Sequence, residues 1–503
     1  MLSFTRATDS HGAPSQARAA YQARDPTRGP LHQLLNQSLR PYLDARAGRP
    51  PPPFVSKALR SYLTCGVLLH GFARFRCDDC AQSRLVALSC KQRAFCPRCV
   101  GRRMADHAKH LVERVLPPVR TRQWVLTFPH ELRWHMAFDH DLTLAVWRIA
   151  RRAIDGFYRA RARSVGPRGH HDVAHPGSIM AIQRFGGALN LNVHFHAVYM
   201  DGAFVERSDG SLRFLEALAP SADELETLLA TIKTRVTHLA HSRGLAEVDA
   251  DDAALLLPGM GEVYSDGVIN RGAWRVRTND PRNPNAFNRR KAHDQGYDLD
   301  AHITVGAGAR AELERMVRYI LRPPLKEQRL TLETQSVLLE LKTPWRDGTT
   351  HIRMSRERFI DRLVALVPPP AANTLLYGGI LAANARLRAR ATGYGRPGVT
   401  QSKRAPPRSA PRHARNTAWA ELMRHSFGLD VLACPHCGGR MRHVATVLRT
   451  TSIRAILEHQ GHLLPDPRAG PLSHPGDTVY ELDEPTQLDL FDDNSQEPAE
   501  HAW

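Results

Sequence analysis

The sequence predicts an α+β protein, an antiparallel sheet with flanking helices, set between two small cysteine-bearing modules. Three observations carry that expectation. Segments 123–128 (QWVLTF), 178–185 and 189–200 read as strands, with strict alternation in LNLNVHFHA. Helical-period apolar stripes cover roughly 139–162 and 309–322, the second stopped by Pro323-Pro324. Six of the eight cysteines fall in three C-x-x-C pairs placed toward the two ends of the chain.

A chain of 503 residues can hold several domains. Residues 1–30 are polar and rich in Pro and Gly, and read as a disordered N-terminus. A cysteine-rich module is expected over 31–118, and the domain that holds the sheet over 119–330. A helical extension follows over 331–397, then a basic linker (398–415). A small C-terminal module (416–476) and an acidic disordered tail (477–503) complete the expected organisation.

Charge narrows the partner. The net charge is +19, but from Asp477 onward there are nine acidic residues and no Lys or Arg, so residues 1–476 carry +28. A body that basic favours a polyanion, because cations that neutralise phosphates release counterions. No apolar run approaches the ~20 residues that span a bilayer, which argues against a membrane protein. The first residues lack the apolar core of a signal peptide, and cysteines in C-x-x-C pairs suggest metal rather than disulfides. The expected compartment is therefore the cytoplasm.

Cys77-x2-Cys80 and Cys96-x2-Cys99 are separated by 15 residues, a spacing that suits one tetrahedral zinc site. Cys65 and Cys90 are left over and read as small buried apolar side chains. Arg93, Arg98, Arg102 and Arg103 crowd the same stretch and are expected to hold DNA. Cys434-x2-Cys437 is half a site; His459-x2-His462, after 21 intervening residues, could complete a second zinc centre.

In the strand 189–197, Asn190, Asn192, His194 and His196 share one face, and Leu191, Val193, Phe195 and Ala197 the other. Two histidines at i and i+2 can ligate one divalent ion while the apolar face anchors them. An oxygen ligand would complete a Mg²⁺ or Mn²⁺ site. Gln183 on the preceding strand is the first choice and Asp201 the second. Tyr319 lies about 110° from the centre of the stripe Leu313, Met316, Val317 and Ile320, so its hydroxyl is not committed to a core.

QWVLTFP, LNLNVHFHAVYMDG and RYILRPP, preceded by CDDC and SCKQRAFCPRC, together resemble IS91-type rolling-circle insertion-sequence transposases. That likeness extends through TPWRDGTTHIRM, LVALVPPP and CPHCGGRMR. It implies the HUH endonuclease superfamily, a core named for His-hydrophobic-His, and an N-terminal transposase zinc-binding domain. It implies that His194 and His196 bind the catalytic metal and that Tyr319 is the nucleophile. A second tyrosine, present in some members four residues earlier, is replaced here by Arg315, so the chain resembles the single-tyrosine branch. The implied activity is nicking and rejoining of single-stranded element ends through a 5′-phosphotyrosine, driving rolling-circle transposition. A plasmid replication initiator or relaxase of the same superfamily, and a non-catalytic zinc-dependent DNA-binding protein, remain the alternatives.

In the tail, Gln487, Leu488, Leu490 and Phe491 form an apolar cluster (QLDLF) among polar residues. It resembles the peptide by which bacterial proteins dock on the DNA sliding clamp, which makes the clamp an expected partner.

Overall fold

The computed structural model describes residues 25–165, 173–245, 274–277, 291–345, 347–397 and 418–461. The linker over 398–415, His462 and the tail residues Gln487, Leu488, Leu490 and Phe491 lie outside the described residues. These group into two units. The larger takes its described residues from 25–67 and 88–397, and the smaller from 68–87 and 418–461. Residues 68–87, within the segment 31–118, thus group with the C-terminal module.

The larger unit begins with α1 (Pro30–Asp44) and α2 (Pro53–Thr64). Proline at each helix start fixes φ where no backbone N–H is needed. Leu31, Leu34, Leu35 and Leu39 of α1 are buried at helical spacing. The smaller unit contributes β1 (Phe72–Cys77) and β2 (Ser83–Ala87), after which α3 (Pro97–His110) returns to the larger unit. A single π turn, Leu111–Val115, extends α3 until Pro117 and Pro118 end it.

Among the described residues, the central sheet has seven strands. β3 (Thr121–Thr127), β4 (Gly177–Phe185) and β5 (Leu191–Met200) form its middle, with β5 between the other two. A hairpin of β6 (Gly202–Glu206) and β7 (Leu212–Glu216) stands apart. β8 (Trp274–Arg277) belongs to another sheet, while β9 (Lys291–Asp294), β10 (Tyr297–Asp300) and β11 (Thr304–Val305) complete the β3 side. Every recorded pairing among the described strands is antiparallel.

Alternation along β5 gives the sheet two covered faces. Val193, Phe195, Ala197 and Tyr199 enter one core with α4 (His130–Phe138) and α5 (His140–Val165), including Trp147, Ala150 and Ile154. α6 (Ala222–Ser242) adds Leu225, Leu229 and Ile232. Its start is fixed by a capping box in which Ser221 accepts from the Glu224 N–H and the Glu224 carboxylate accepts from the Ser221 N–H. On the other face, Val198 and Met200 pack with Leu313, Met316, Val317 and Ile320 of α7 (Arg310–Ile320), and with the π turn.

The segment 331–397 is not the helical extension expected. It contains β12 (Leu330–Leu332), β13 (Ser336–Glu340) and β14 (Thr349–Ser355), which form a four-stranded sheet with β8. Ile352 and Met354 are buried while His351 and Arg353 are not, a period-two pattern that selects strand. α8 (Arg356–Leu366), capped by Ser355, leads to β15 (Leu375–Gly379) on the edge of the central sheet beside β4, and then to the short α9 (Arg388–Gly393). In the smaller unit, α10 (Trp419–Phe427) precedes β16 (Met441–Val447), which pairs with β1, and α11 (Thr450–His459) packs Ile453 and Leu457 against Phe72 and Leu85. No described helix is long and apolar enough to cross a membrane.

Asp201, immediately after β5, is fully buried. Arg122 donates to its two carboxylate oxygens at 2.9 and 2.8 Å, Arg120 donates at 3.0 Å and the Tyr158 hydroxyl at 3.1 Å. Asp201 therefore anchors the strand end and is spoken for as a metal ligand. Asp201→Ala would leave the buried Arg122 unpaired. It is expected to cost about 3–5 kcal/mol in a urea-unfolding titration, against a near-neutral change for exposed Arg102→Ala.

Candidate functional site: a histidine pair facing a tyrosine, and two cysteine centres

His194 and His196 project from the β5 face that α7 covers, with ring centroids 4.9 Å apart. Both are buried. The His194 Nδ1 lies 2.8 Å from the Asn192 carbonyl oxygen, which can only accept. The ring proton therefore sits on Nδ1 and the Nε2 lone pair is left for a cation, the arrangement by which metal-ligating histidines are oriented. Burial depresses the His194 pKa to about 4, and Arg322 and Arg133 add to that while the Asn192 hydrogen bond opposes it. Burial, with His194, Arg322 and Lys342, likewise holds His196 well below its ordinary value. Both rings are neutral at physiological pH, as ligation requires.

Gln183 is directly opposite His194 across β4 and β5, so the two share a face. Its amide nitrogen donates to the Ile320 carbonyl at the end of α7, which fixes the amide orientation. The Gln183 Oε1 is buried with no hydrogen-bond partner among the described residues. A buried carbonyl oxygen left bare on the face that carries two imidazoles fits an N,N,O donor set for a divalent cation once both rings offer a lone pair.

Tyr319 lies on α7 outside the stripe Leu313, Met316, Val317 and Ile320, and is 39% exposed. Its ring is 6.3 Å from that of His196, at 87°. The Arg322 guanidinium carbon is 4.2 Å from the Tyr319 ring centroid, and the Lys342 Nζ 4.1 Å. Burial would raise the phenol pKa, but these two cations outweigh it and hold the phenol below its ordinary value. Arg322 follows one turn after Tyr319, whereas Lys342 comes from beyond β13, so helical spacing could not have revealed it. Tyr377 is on the edge strand β15, opposite Ile179.

The cysteines divide differently from the spacing argument. Cys77 and Cys80 do not join Cys96 and Cys99. They gather with Cys434 and Cys437 in the smaller unit, while Cys96 and Cys99 gather with Cys65 and Cys90 in the larger. Sulfur separations are 3.5 Å (Cys77–Cys437) and 3.6 Å (Cys80–Cys434) in one, and 3.7 Å (Cys65–Cys96), 3.6 Å (Cys65–Cys99) and 3.4 Å (Cys90–Cys99) in the other. A Zn–S bond of about 2.3 Å puts tetrahedral sulfurs about 3.8 Å apart, so both sets fit zinc. Cys65 and Cys90 are thus ligand candidates rather than filler. His459, at the end of α11, joins no metal-like group among the described residues.

Backbone geometry explains the smaller centre. The Ala81 N–H donates to Cys77 and the Gly438 N–H to Cys434, each closing a tight turn. Both turns need a left-handed residue, φ 60° at Ala81 and 76° at Gly438. Antiparallel pairing of β1 with β16, Cys77 opposite Met441, brings the two turns together. N–H groups of Cys437 and His436 hold the Cys434 thiol down to about 6, favouring the thiolate that metal needs. In the larger centre, Cys96 caps α3 and Cys99 lies in its first turn, and hydrogen bonds from the Cys65 and Cys90 thiols favour the thiolate at Cys99.

Of the arginines expected to hold DNA, Arg93 and Arg102 are exposed, Arg98 is half-buried, and Arg103 donates to the Lys91 carbonyl.

Residues 34–128 match the family described as "Transposase zinc-binding domain", of the IS91 type. Residues 177–388, which carry the histidine pair and Tyr319, match the family described as "Putative transposase". The chain thus matches an IS91-type transposase over its zinc-binding and transposase domains. It is therefore a DNA-processing enzyme with an N-terminal zinc-binding domain. No curated protein and no solved structure matches it.

Two cysteine centres predict two zinc ions per chain. Cys434→Ser with Cys437→Ser should lower zinc content, measured by mass spectrometry of the purified protein, from two to one. Loss of neither ion, or of both, would contradict the division into independent sets.

Proposed function

We propose that this transposase nicks and rejoins single-stranded DNA through a 5′-phosphotyrosine on Tyr319, and so drives rolling-circle transposition. The observation that carries the reading is the convergence of His194, His196, Gln183 and Tyr319 on one covered face of the central sheet. We read that sheet as the HUH core.

His194 Nε2, His196 Nε2 and Gln183 Oε1 would hold Mg²⁺ or Mn²⁺, which supplies charge neutralisation at the scissile phosphate. The chain does the rest. The Tyr319 oxygen, its anion favoured by Arg322 and Lys342, attacks phosphorus in line. A phenol O–P bond forms, the P–O3′ bond breaks, and the 3′ oxygen leaves as a hydroxyl after taking up a proton. Attack of a 3′-hydroxyl on the phosphotyrosine reverses these events, so rejoining needs no nucleotide cofactor. Gln183 also tethers the end of α7, which positions Tyr319 over the histidines. Position 315 on α7 is an exposed arginine, and Tyr377 lies on another element, so one nucleophile serves each cleavage.

The exposed Arg93 and Arg102 are read as phosphate contacts that position the strand. The QLDLF segment (Gln487, Leu488, Leu490, Phe491) is proposed to bind the bacterial sliding clamp, on the strength of its sequence.

Incubation of the protein with a single-stranded oligonucleotide of the element end and Mn²⁺ should give a covalent adduct on denaturing gels. Tyr319→Phe should abolish it, and His194→Ala should reduce it at least ~100-fold. An adduct that survives Tyr319→Phe would overturn the nucleophile assignment. Lys342→Ala should raise the phenol pKa. Adduct formation near neutral pH should then fall about tenfold, and the rising limb of the pH–rate profile should move to higher pH.

A further inference from the structure

His194 and His196 are not equivalent. The Nδ1 of His194 faces a backbone carbonyl, which permits one tautomer, with the proton on Nδ1. The Nδ1 of His196 faces the Gln123 side-chain amide instead, at 2.8 Å. Gln123 is 3% exposed and lies on β3 opposite Val198, diagonal to His196 on the shared face. A carboxamide differs from a carbonyl in one respect that matters here: a half-turn of its last torsion exchanges a donor for an acceptor.

We infer that Gln123 is a positioning residue that decides which ring nitrogen of His196 carries the proton, and hence whether its Nε2 can join His194 on a divalent cation. This rests on the metal reading given under Proposed function. With the amide nitrogen toward the ring, as in the structure, Nδ1 must accept, the proton lies on Nε2, and that nitrogen has no lone pair for a metal. With the amide oxygen toward the ring, Nδ1–H donates, and the Nε2 lone pair is exposed beside that of His194. The Gln123 Oε1 is buried without a partner among the described residues, and none of them holds it against the turn. Arrival of the cation then coincides with a half-turn of one buried amide and a shift of one proton between the ring nitrogens. His194 is a preset ligand, and His196 becomes one when Gln123 turns.

The test uses full-length protein carrying ¹⁵N-histidine, with Mg²⁺ for long-range ¹H–¹⁵N NMR and Mn²⁺ for calorimetric affinity. In the wild type, His196 should carry its proton on Nε2 without metal and on Nδ1 with Mg²⁺. Gln123→Met, close in volume but unable to accept strongly, should weaken Mn²⁺ binding about 10–100-fold, with zinc content and circular dichroism unchanged. Gln123→Glu, which can only accept when ionised, should place the His196 proton on Nδ1 before metal is added and restore affinity. The inference is overturned if Gln123→Met binds Mn²⁺ as tightly as the wild type. It is also overturned if the metal-free His196 tautomer is the same in wild type and Gln123→Glu. Absence of Mn²⁺ binding in the wild type, unaltered by His194→Ala, would instead sink the metal reading, and the metal-free tautomer comparison would still decide the role of Gln123.

Discussion

The structure of the larger unit depends on the alternation of side chains along β5. Because successive residues of a strand point to opposite faces, one segment does two jobs. Val193, Phe195, Ala197 and Tyr199 fasten it to the core under α4 and α5, and that fixes the direction of His194 and His196. A slip of one residue would exchange the two sets and destroy both core and site. Register is held at the strand end by Asp201, whose carboxylate is shared by Arg120, Arg122 and Tyr158. That commitment is also why Asp201 is unavailable as a ligand, although it lies only five residues beyond His196.

Around the histidines, polar atoms are buried in unequal states of satisfaction. The Asn192 carbonyl serves His194, and the Gln183 nitrogen serves the end of α7, while the Gln183 oxygen has nothing among the described residues. Leaving a buried acceptor bare costs about 1–3 kcal/mol, a cost that a bound cation would remove. The cations at Tyr319 act on its phenol. Two positive charges about 4 Å from the phenol ring bias it toward its anion despite partial burial. On one covered face of the sheet, two neutral imidazoles and a bare amide oxygen thus lie under a helix whose tyrosine has a lowered pKa.

Much of this was legible in the sequence where the signal was local. Alternation in LNLNVHFHA located the strand and its two faces, and helical spacing put Tyr319 outside the stripe of α7. Gln183 could be nominated because it sits on the neighbouring strand, but only the register, Gln183 opposite His194, set it on the right face. Lys342 and Gln123 gave no signal, since each reaches the site from a separate strand or loop. The segment 331–397 was misread as helical because short strands such as Ser336–Glu340 carry too few residues for their period to stand out.

The sequence by itself determined the basic character, the strand that bears the histidines, the helix that bears the tyrosine, and the presence of metal-type cysteine pairs. Those properties follow from composition and from periods of a few residues. The tertiary structure alone decided which cysteines meet. Cys77 and Cys80 join Cys434 and Cys437 because β1 pairs with β16 across more than three hundred residues of chain, and Cys65 and Cys90 close the other set. Spacing along the chain favours the nearest pair, but a tetrahedral centre selects whatever thiolates the fold brings within about 4 Å of one another.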